Sequence, residues 1–243
     1  MFFSFSPKHR TYELITFILF ISIMGTILLL SPRPDLFATL PSFENDLLKW
    51  FSRSAGEYMF IITLAILCSI PIFQRLPKKK ILSLYIQFGI LLILSFMLKS
   101  GVKAITEIPR PYTQALVQVD IVDSTDRFYS LNEDNKQALI TQAENRVSPA
   151  RIEQWRASTN YSFPSGHTIF AAICVLFWGG FLLRQKHYAL TAIVITWGIG
   201  VGFSRIWLGM HWPTDLIASL VSASILILCV PTINLDKEPI EKN

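Results

Sequence analysis

The sequence predicts an all-α integral membrane protein: six transmembrane helices with a small helical subdomain between the third and the fourth. Three observations carry this. Of 243 residues, 51% are hydrophobic and only 16% charged, with a mean hydropathy of +0.43, against roughly 25% charged residues in typical soluble domains. Six apolar runs approach the roughly 17–25 residues that a bilayer-crossing helix needs. One long polar stretch, 112–161, holds no such run. The net charge of +5 is therefore read by location, since Lys and Arg in a membrane protein record topology. No clustered basic face of a soluble domain appears, which excludes a nucleic-acid partner. Cys68, Cys174 and Cys229 all fall inside apolar runs, and their odd number and wide spacing argue against a disulfide framework or a metal cluster.

The first run, Leu14 to Leu30, follows Lys8, His9 and Arg10. A basic start before an apolar stretch also fits a secretory signal peptide. The run is longer than a signal core, however, and Ser-Pro-Arg-Pro follows it in place of a cleavage site, so we read it as an uncleaved helix. Residues 31–55 are polar and broken by Pro32, Pro34 and Pro41. Within them Leu47-Leu48-Lys49-Trp50-Phe51 suits a short interfacial helix, given its aromatic residues. The second span runs from Gly56 to Phe73, and a basic turn with Arg75, Lys78, Lys79 and Lys80 separates it from the third, Ile81 to Leu98. In the polar insert, Leu131 to Trp155 has helix-compatible composition and lacks the Gly/Ser or Pro bias of a linker. The fourth span starts near Pro164 and ends near Leu183, the fifth covers Tyr188 to Phe203, and the sixth covers Pro213 to Val230. This divides the chain into 1–111, 112–161 and 162–243.

An even number of spans puts both termini on one side. The short loops there carry Lys8, Arg10, Arg75, Lys78, Lys79, Lys80, Arg184 and Lys186, so the positive-inside rule makes that side cytoplasmic. Three stretches then meet on the opposite face: Lys103 to Pro111 where span three exits, Pro164 to His167 where span four enters, and Ser204 to Asp215 between spans five and six. Together they offer Lys103, Arg110, Arg205, Ser165, Gly166, His167, His211 and Asp215. Ionisable residues at membrane boundaries are costly unless paired or functional. Singly, Lys103 could only snorkel, Arg110 could mark a rigid loop end and His167, after Ser-Gly, could be a simple capping arrangement. Jointly they have no structural reason to share one face. Lys99 and Glu107 are left as interfacial charges.

If Pro213 opens a helix, Asp215 lies in its first turn and can reach back to His211, fixing the tautomer of the imidazole and stabilising the ring as it gains charge. The chemistry that suits such a set is phosphoryl transfer, which depends on positioning and on stabilising the equatorial oxygens. Two arginines supply forked donors, Lys103 a point charge, and Ser165 with Gly166 a hydroxyl and backbone N–H groups at a helix N-terminus. His211, backed by Asp215, is the better nucleophile, and His167 the better general acid. No acidic cluster for a divalent cation and no H-E-x-x-H pair is present, so a metal-independent reaction without a cofactor is expected.

K-x6-R-P over Lys103–Pro111, P-S-G-H over Pro164–His167 and S-R-x5-H-x3-D over Ser204–Asp215 together resemble the three-part signature of the type 2 phosphatidic acid phosphatase (PAP2) superfamily. The resemblance implies a lipid phosphatase of the bacterial inner membrane, acting on its periplasmic side through a phosphohistidine at His211 with acid catalysis by His167. It implies phosphate binding by Lys103, Arg110, Ser165, Gly166, His167 and Arg205. It also implies lipid phosphate substrates, namely phosphatidylglycerophosphate, undecaprenyl pyrophosphate and phosphatidic acid, with no obligate protein partner. A transporter using the cations as a substrate path fits less well, because the charges gather at one interface and not across the bilayer midplane.

Overall fold

The computed structural model describes residues 2–4, 7–31, 33–38, 41–56 and 59–234. Pro32, the start of the second expected span around residues 57–58, and the polar tail beyond Asn234 lie outside them. Twelve helices are described: α1 (Pro7–Leu30), α2 (Ser42–Ser54), α3 (Met59–Phe73), α4 (Lys78–Thr106), α5 (Pro111–Gln118), α6 (Thr125–Ser130), α7 (Glu133–Gln142), α8 (Pro149–Ala157), α9 (Gly166–Cys174), α10 (Gly180–Arg184), α11 (Tyr188–Trp207) and α12 (Pro213–Cys229). A π-helical turn, Val175–Gly179, joins α9 to α10. A two-stranded antiparallel ribbon, β1 (Phe2–Ser4) with β2 (Thr232–Asn234), closes the ends.

Among the described residues, four helical stretches are long and apolar enough to cross a membrane: Arg10–Leu30, Lys78–Gln118, Gly166–Arg184 and Tyr188–Trp207. The sharply bent pair α2 and α3 makes a fifth if counted as one span. α12 is apolar but has 17 residues, which at about 1.5 Å per residue falls short of a hydrocarbon core of about 30 Å. Every run expected from the sequence is thus helical over most of its length. Among the described residues the count by length stands at four to five against the expected six, because the described α3 and α12 have 15 and 17 residues. The outward faces are apolar, with Ile18, Ile61, Ile66, Ile93, Phe96, Ile193 and Ile225 exposed, as suits a multi-pass membrane protein surrounded by lipid.

Two main hydrophobic cores form. The larger lies among the long helices and centres on α9 and its π turn, where Ile173, Val175 and Trp178 are fully enclosed by Phe20, Phe88, Leu91, Leu216 and Leu220. The smaller belongs to the insert. Tyr112, Leu116, Phe128, Ile140 and Trp155 pack together with Leu36, Leu208 and Met210, and Trp155 stacks on Tyr112 with centroids 5.0 Å apart. The expected helical content of 131–155 appears as α7 and α8, and α5 and α6 extend it. The interfacial helix expected at Leu47–Phe51 is the longer α2. It buries Leu48 and Ser52 and exposes Phe43, Leu47 and Trp50.

Candidate active site

Local sequence explains how each charged group is aimed. α4 ends where Glu107 enters the left-handed region (φ 44°), and Pro109 and Pro111 bar continuation. Arg110, preceding Pro111, is held extended (φ −74°, ψ 151°), the conformation a following proline favours. Its side chain therefore leaves the helix axis and turns inward, 1% exposed. α11 ends in a Schellman motif: Met210 N–H donates to Arg205 O (3.0 Å) and Gly209 N–H to Ile206 O (2.9 Å), with Gly209 at φ +71° in the position that glycine favours. The chain reverses there, and Pro213 then starts α12 at its first turn.

That turn brings His211 and Asp215 together. Asp215 Oδ2 accepts from the His211 Nδ1 side at 3.2 Å and from the Trp212 backbone N–H at 3.0 Å. It thus caps α12 and orients the imidazole at once. Arg110 Nη1 lies 3.3 Å from His211 Nε2. Since a guanidinium only donates, the network assigns the proton to Nδ1 and leaves the Nε2 lone pair facing the cation. His211 is 3% exposed and Asp215 0%. Burial first, then the charges of Arg110, Arg205, Lys103 and His167, hold the His211 imidazole well below its usual protonation range.

The cations converge around this pair. Lys103 Nζ donates to Asn160 Oδ1 at 3.2 Å, and Arg110 Nη2 donates to the same oxygen at 2.7 Å. Arg110 Nε reaches Asn160 O (2.6 Å), Nη2 also reaches Ser158 Oγ (3.2 Å), and Nη1 reaches Met210 O (2.8 Å). Arg205 Nη1 donates to Gln154 Oε1 (2.6 Å) and to Ser52 Oγ, and Ser52 Oγ itself donates to Gln154 Oε1 (2.8 Å). Ser165 caps α9. Its Oγ accepts from Thr168 N–H (3.3 Å) and Thr168 Oγ1 (2.8 Å), and its own N–H donates to Ser219 Oγ (3.0 Å). Its hydroxyl oxygen is therefore engaged in the cap by accepting, which leaves its own proton to donate. The His167 ring lies against Gly56, where any Cβ would overlap it, and a Cβ on Gly166 would come within 2.7 Å of Lys99 Cδ. The charges of Arg205, Arg110, Lys99 and Lys103 all act on His167.

Two cavities flank the site. One of about 570 Å³ is lined by His167, Gly166, Lys99 and apolar residues of α3, α4 and α9, including Phe60, Phe96 and Phe170. The other, about 510 Å³, borders His211 and Trp212 with Arg33, Phe37, Gln114 and Phe203. Among the described residues no group of three or more His, Cys, Asp or Glu is placed to hold a metal ion.

All three stretches singled out by sequence thus meet. The sequence reading missed Asn160, Ser52 and Gln154. Asn160 sits only four residues before Pro164, but a lone Asn carries no spacing signal. Ser52 and Gln154 come from parts of the chain where nothing pointed to the site.

The PAP2 superfamily model matches residues 84–238. Phosphatidylglycerophosphatase B of Escherichia coli K12 is 31% identical over 76% of this chain and 76% of its own length. Phosphatidylglycerophosphatase B of Haemophilus influenzae is 34% identical over 62% of this chain and 65% of its own. Undecaprenyl-diphosphatase BcrC of Bacillus subtilis is 38% identical over a shorter stretch, 27% of this chain and 31% of its own. With a match across well over half its length that contains all three motifs, the chain belongs to the PAP2 superfamily of lipid phosphatases.

Proposed function

We propose that the protein removes phosphate from lipid phosphates, with phosphatidylglycerophosphate first and undecaprenyl pyrophosphate and phosphatidic acid as further substrates, through a phosphohistidine at His211 and without a metal. The observation that carries the reading is the bond pattern around His211. Asp215 occupies the Nδ1 side, which leaves Nε2 as the free lone pair, and Nε2 faces Arg110. That is where the phosphorus of a bound phosphate needs to sit.

The reaction follows from the chain's own groups. Lys103, Arg110 and Arg205, with Ser165 and Gly166 at the start of α9, bind the phosphate oxygens. The Asn160 Oδ1 shared by Lys103 and Arg110 marks a point where a phosphate oxygen takes over the two donors with stronger charge-assisted bonds. His211 Nε2 attacks phosphorus, the bond from phosphorus to the lipid oxygen breaks, and His167 protonates the departing alkoxide. Asp215 stabilises the positive phosphorylated ring. Water then attacks phosphorus and gives its proton to His167, releasing phosphate and free His211. The apolar cavity beside His167 suits the lipid, because the leaving oxygen has to lie near the general acid.

The finer architecture belongs to the same reading. α1, α3, α4, α9 with α10, α11 and α12 form six spans in an inner membrane. Both termini are cytoplasmic, and the insert 112–161 lies between 1–111 and 162–243 on the periplasmic face beside the site. The short α12 is completed by the Trp212 and Val230 ends at the two interfaces. Support comes from the Lys/Arg asymmetry of the short loops. No protein partner is needed.

The test is phosphate release by purified protein from phosphatidylglycerophosphate, undecaprenyl pyrophosphate and phosphatidic acid, each with and without EDTA. Release unaffected by EDTA is expected. Loss of activity in EDTA would contradict the metal-free step, and no release from any of the three would contradict the reading as a whole.

A further inference from the structure

The end of α11 leaves carbonyls that no helical N–H can reach, and buried carbonyls need donors. Four consecutive ones find them outside their own helix. Trp207 O accepts from Arg151 Nε (3.0 Å), Leu208 O from Trp155 Nε1 (2.7 Å), Gly209 O from Tyr112 N–H (3.0 Å) and Met210 O from Arg110 Nη1 (2.8 Å). Three of these donors belong to the insert, and the fourth, Arg110, lies two residues before it. The side chains of the same loop follow the same pattern, since Leu208 and Met210 are fully buried in the insert's core and not in the core of the long helices. Arg151 is itself fully buried and also donates to Leu36 O (2.8 Å) and Ala38 O (3.0 Å), which fixes the segment whose Leu36 lies against Gly209.

From this we infer that the insert is a clamp for the His211 loop, and that Arg151 and Trp155 are positioning residues for the phosphoryl-transfer step. The inference rests on His211 being the attacking group. Arg151 and Trp155 touch no substrate. They hold residues 207 and 208, and the loop from there to His211 is three residues long, with one peptide N–H and one guanidinium securing the remainder. Nucleophilic attack needs near-attack geometry, and a misplacement of about 1 Å costs on the order of a hundredfold in rate. A clamp of this kind acts on kcat, while phosphate binding by Lys103 of α4 and by Arg205, whose guanidinium is anchored separately by Ser52 and Gln154, is left in place.

The experiment uses full-length protein in detergent, with short-chain phosphatidic acid as the probe. It measures kcat and KM separately, the folded fraction, and phosphoenzyme trapped by rapid quenching at alkaline pH. Trp155→Phe keeps the ring stacked on Tyr112 and deletes a single N–H. Arg151→Met keeps the stem and deletes the donors, and Arg151→Lys restores one of them. We expect kcat to fall about tenfold in Trp155→Phe and more in Arg151→Met, with KM within about twofold, the folded fraction unchanged, and Arg151→Lys recovering part of the loss. If Trp155→Phe and Arg151→Met both keep kcat within about twofold, the clamp is wrong. A kcat loss that merely tracks loss of folded protein, with Arg151→Lys no better than Arg151→Met, overturns it as well. A normal phosphoenzyme in His211→Ala would instead sink the underlying mechanism, whatever the clamp variants do.

Discussion

At the scale of single residues, His211 is defined by what surrounds each of its nitrogens. Asp215 on Nδ1 and Arg110 opposite Nε2 select one tautomer, and burial with three cations keeps the ring neutral. Asp215→Asn keeps the shape but can donate as well as accept, so the tautomer is no longer fixed. Turnover should fall at least a hundredfold with the fold retained, as measured by initial rates beside a thermal melt. Neutrality of the ring also sets a sign for pH. The folded pKa of His211 lies below the ordinary value of about 6.5, so protons bind the unfolded state more readily as pH falls below that value. The contribution is fully present above about 6.5 and is lost as pH drops toward the folded pKa. Thermal stability should therefore decline below about pH 6.5, and less so in His211→Gln. Equal slopes in the two proteins would contradict a neutral buried His211. Gly209 adds a purely steric expectation. At φ +71°, with Leu36 Cδ1 only 2.7 Å from where a Cβ would stand, Gly209→Ala pays a left-handed strain of roughly 1–2 kcal/mol plus displacement of Leu36. Denaturation should show at least that loss.

Between residue and molecule, α8 does more than its nine residues suggest. Arg151 and Trp155 reach the α11 terminus, Gln154 holds Arg205, and Glu153 pairs with Lys49 (2.5 Å) and Arg53 of α2. Burial alone raises the Glu153 carboxyl, but bonds from Lys49 and Arg53 outweigh it and hold it below the usual carboxylate range. That surface pair is screened and contributes little. The buried Gln154–Arg205 bond is the one that matters, since bonds to charged groups carry about 1.5–3 kcal/mol. Gln154→Leu should weaken competitive inhibition by vanadate, a phosphate mimic, by about tenfold or more as Arg205 loses its anchor. Unchanged inhibition would show that Ser52 suffices.

The limits of sequence reading appear at this scale. Pro213 and Asp215 announced the His211 contact because capping and i,i+4 spacing are local. The Ser-Gly-His run announced a helix start for the same reason, and Ser165 Oγ caps α9 there. Ser52, Gln154, Arg151 and Trp155 were silent because their partners lie 51 to 153 residues away, and a side chain bonding to a distant carbonyl leaves no periodicity. The span count was legible as apolar runs, yet helix ends depend on features such as the stop at Cys229, which composition does not place.

For the molecule as a whole, the long helices supply a scaffold open to lipid on its outer faces, and the insert covers the end where the three motifs meet. A polar, cationic site with an apolar cavity on its His167 side fits a substrate whose phosphate is polar and whose remainder is not. All of this depends on His211 carrying the phosphate between the two half-reactions. The most direct measurement is rapid acid-free quenching of the full-length enzyme with a radiolabelled lipid phosphate, followed by mapping of the label. The account predicts an acid-labile, base-stable phosphohistidine at His211. It should be absent in His211→Ala, and in His167→Ala it should form from a substrate with a good leaving group. Label on any other residue, or normal labelling in His211→Ala, would contradict it.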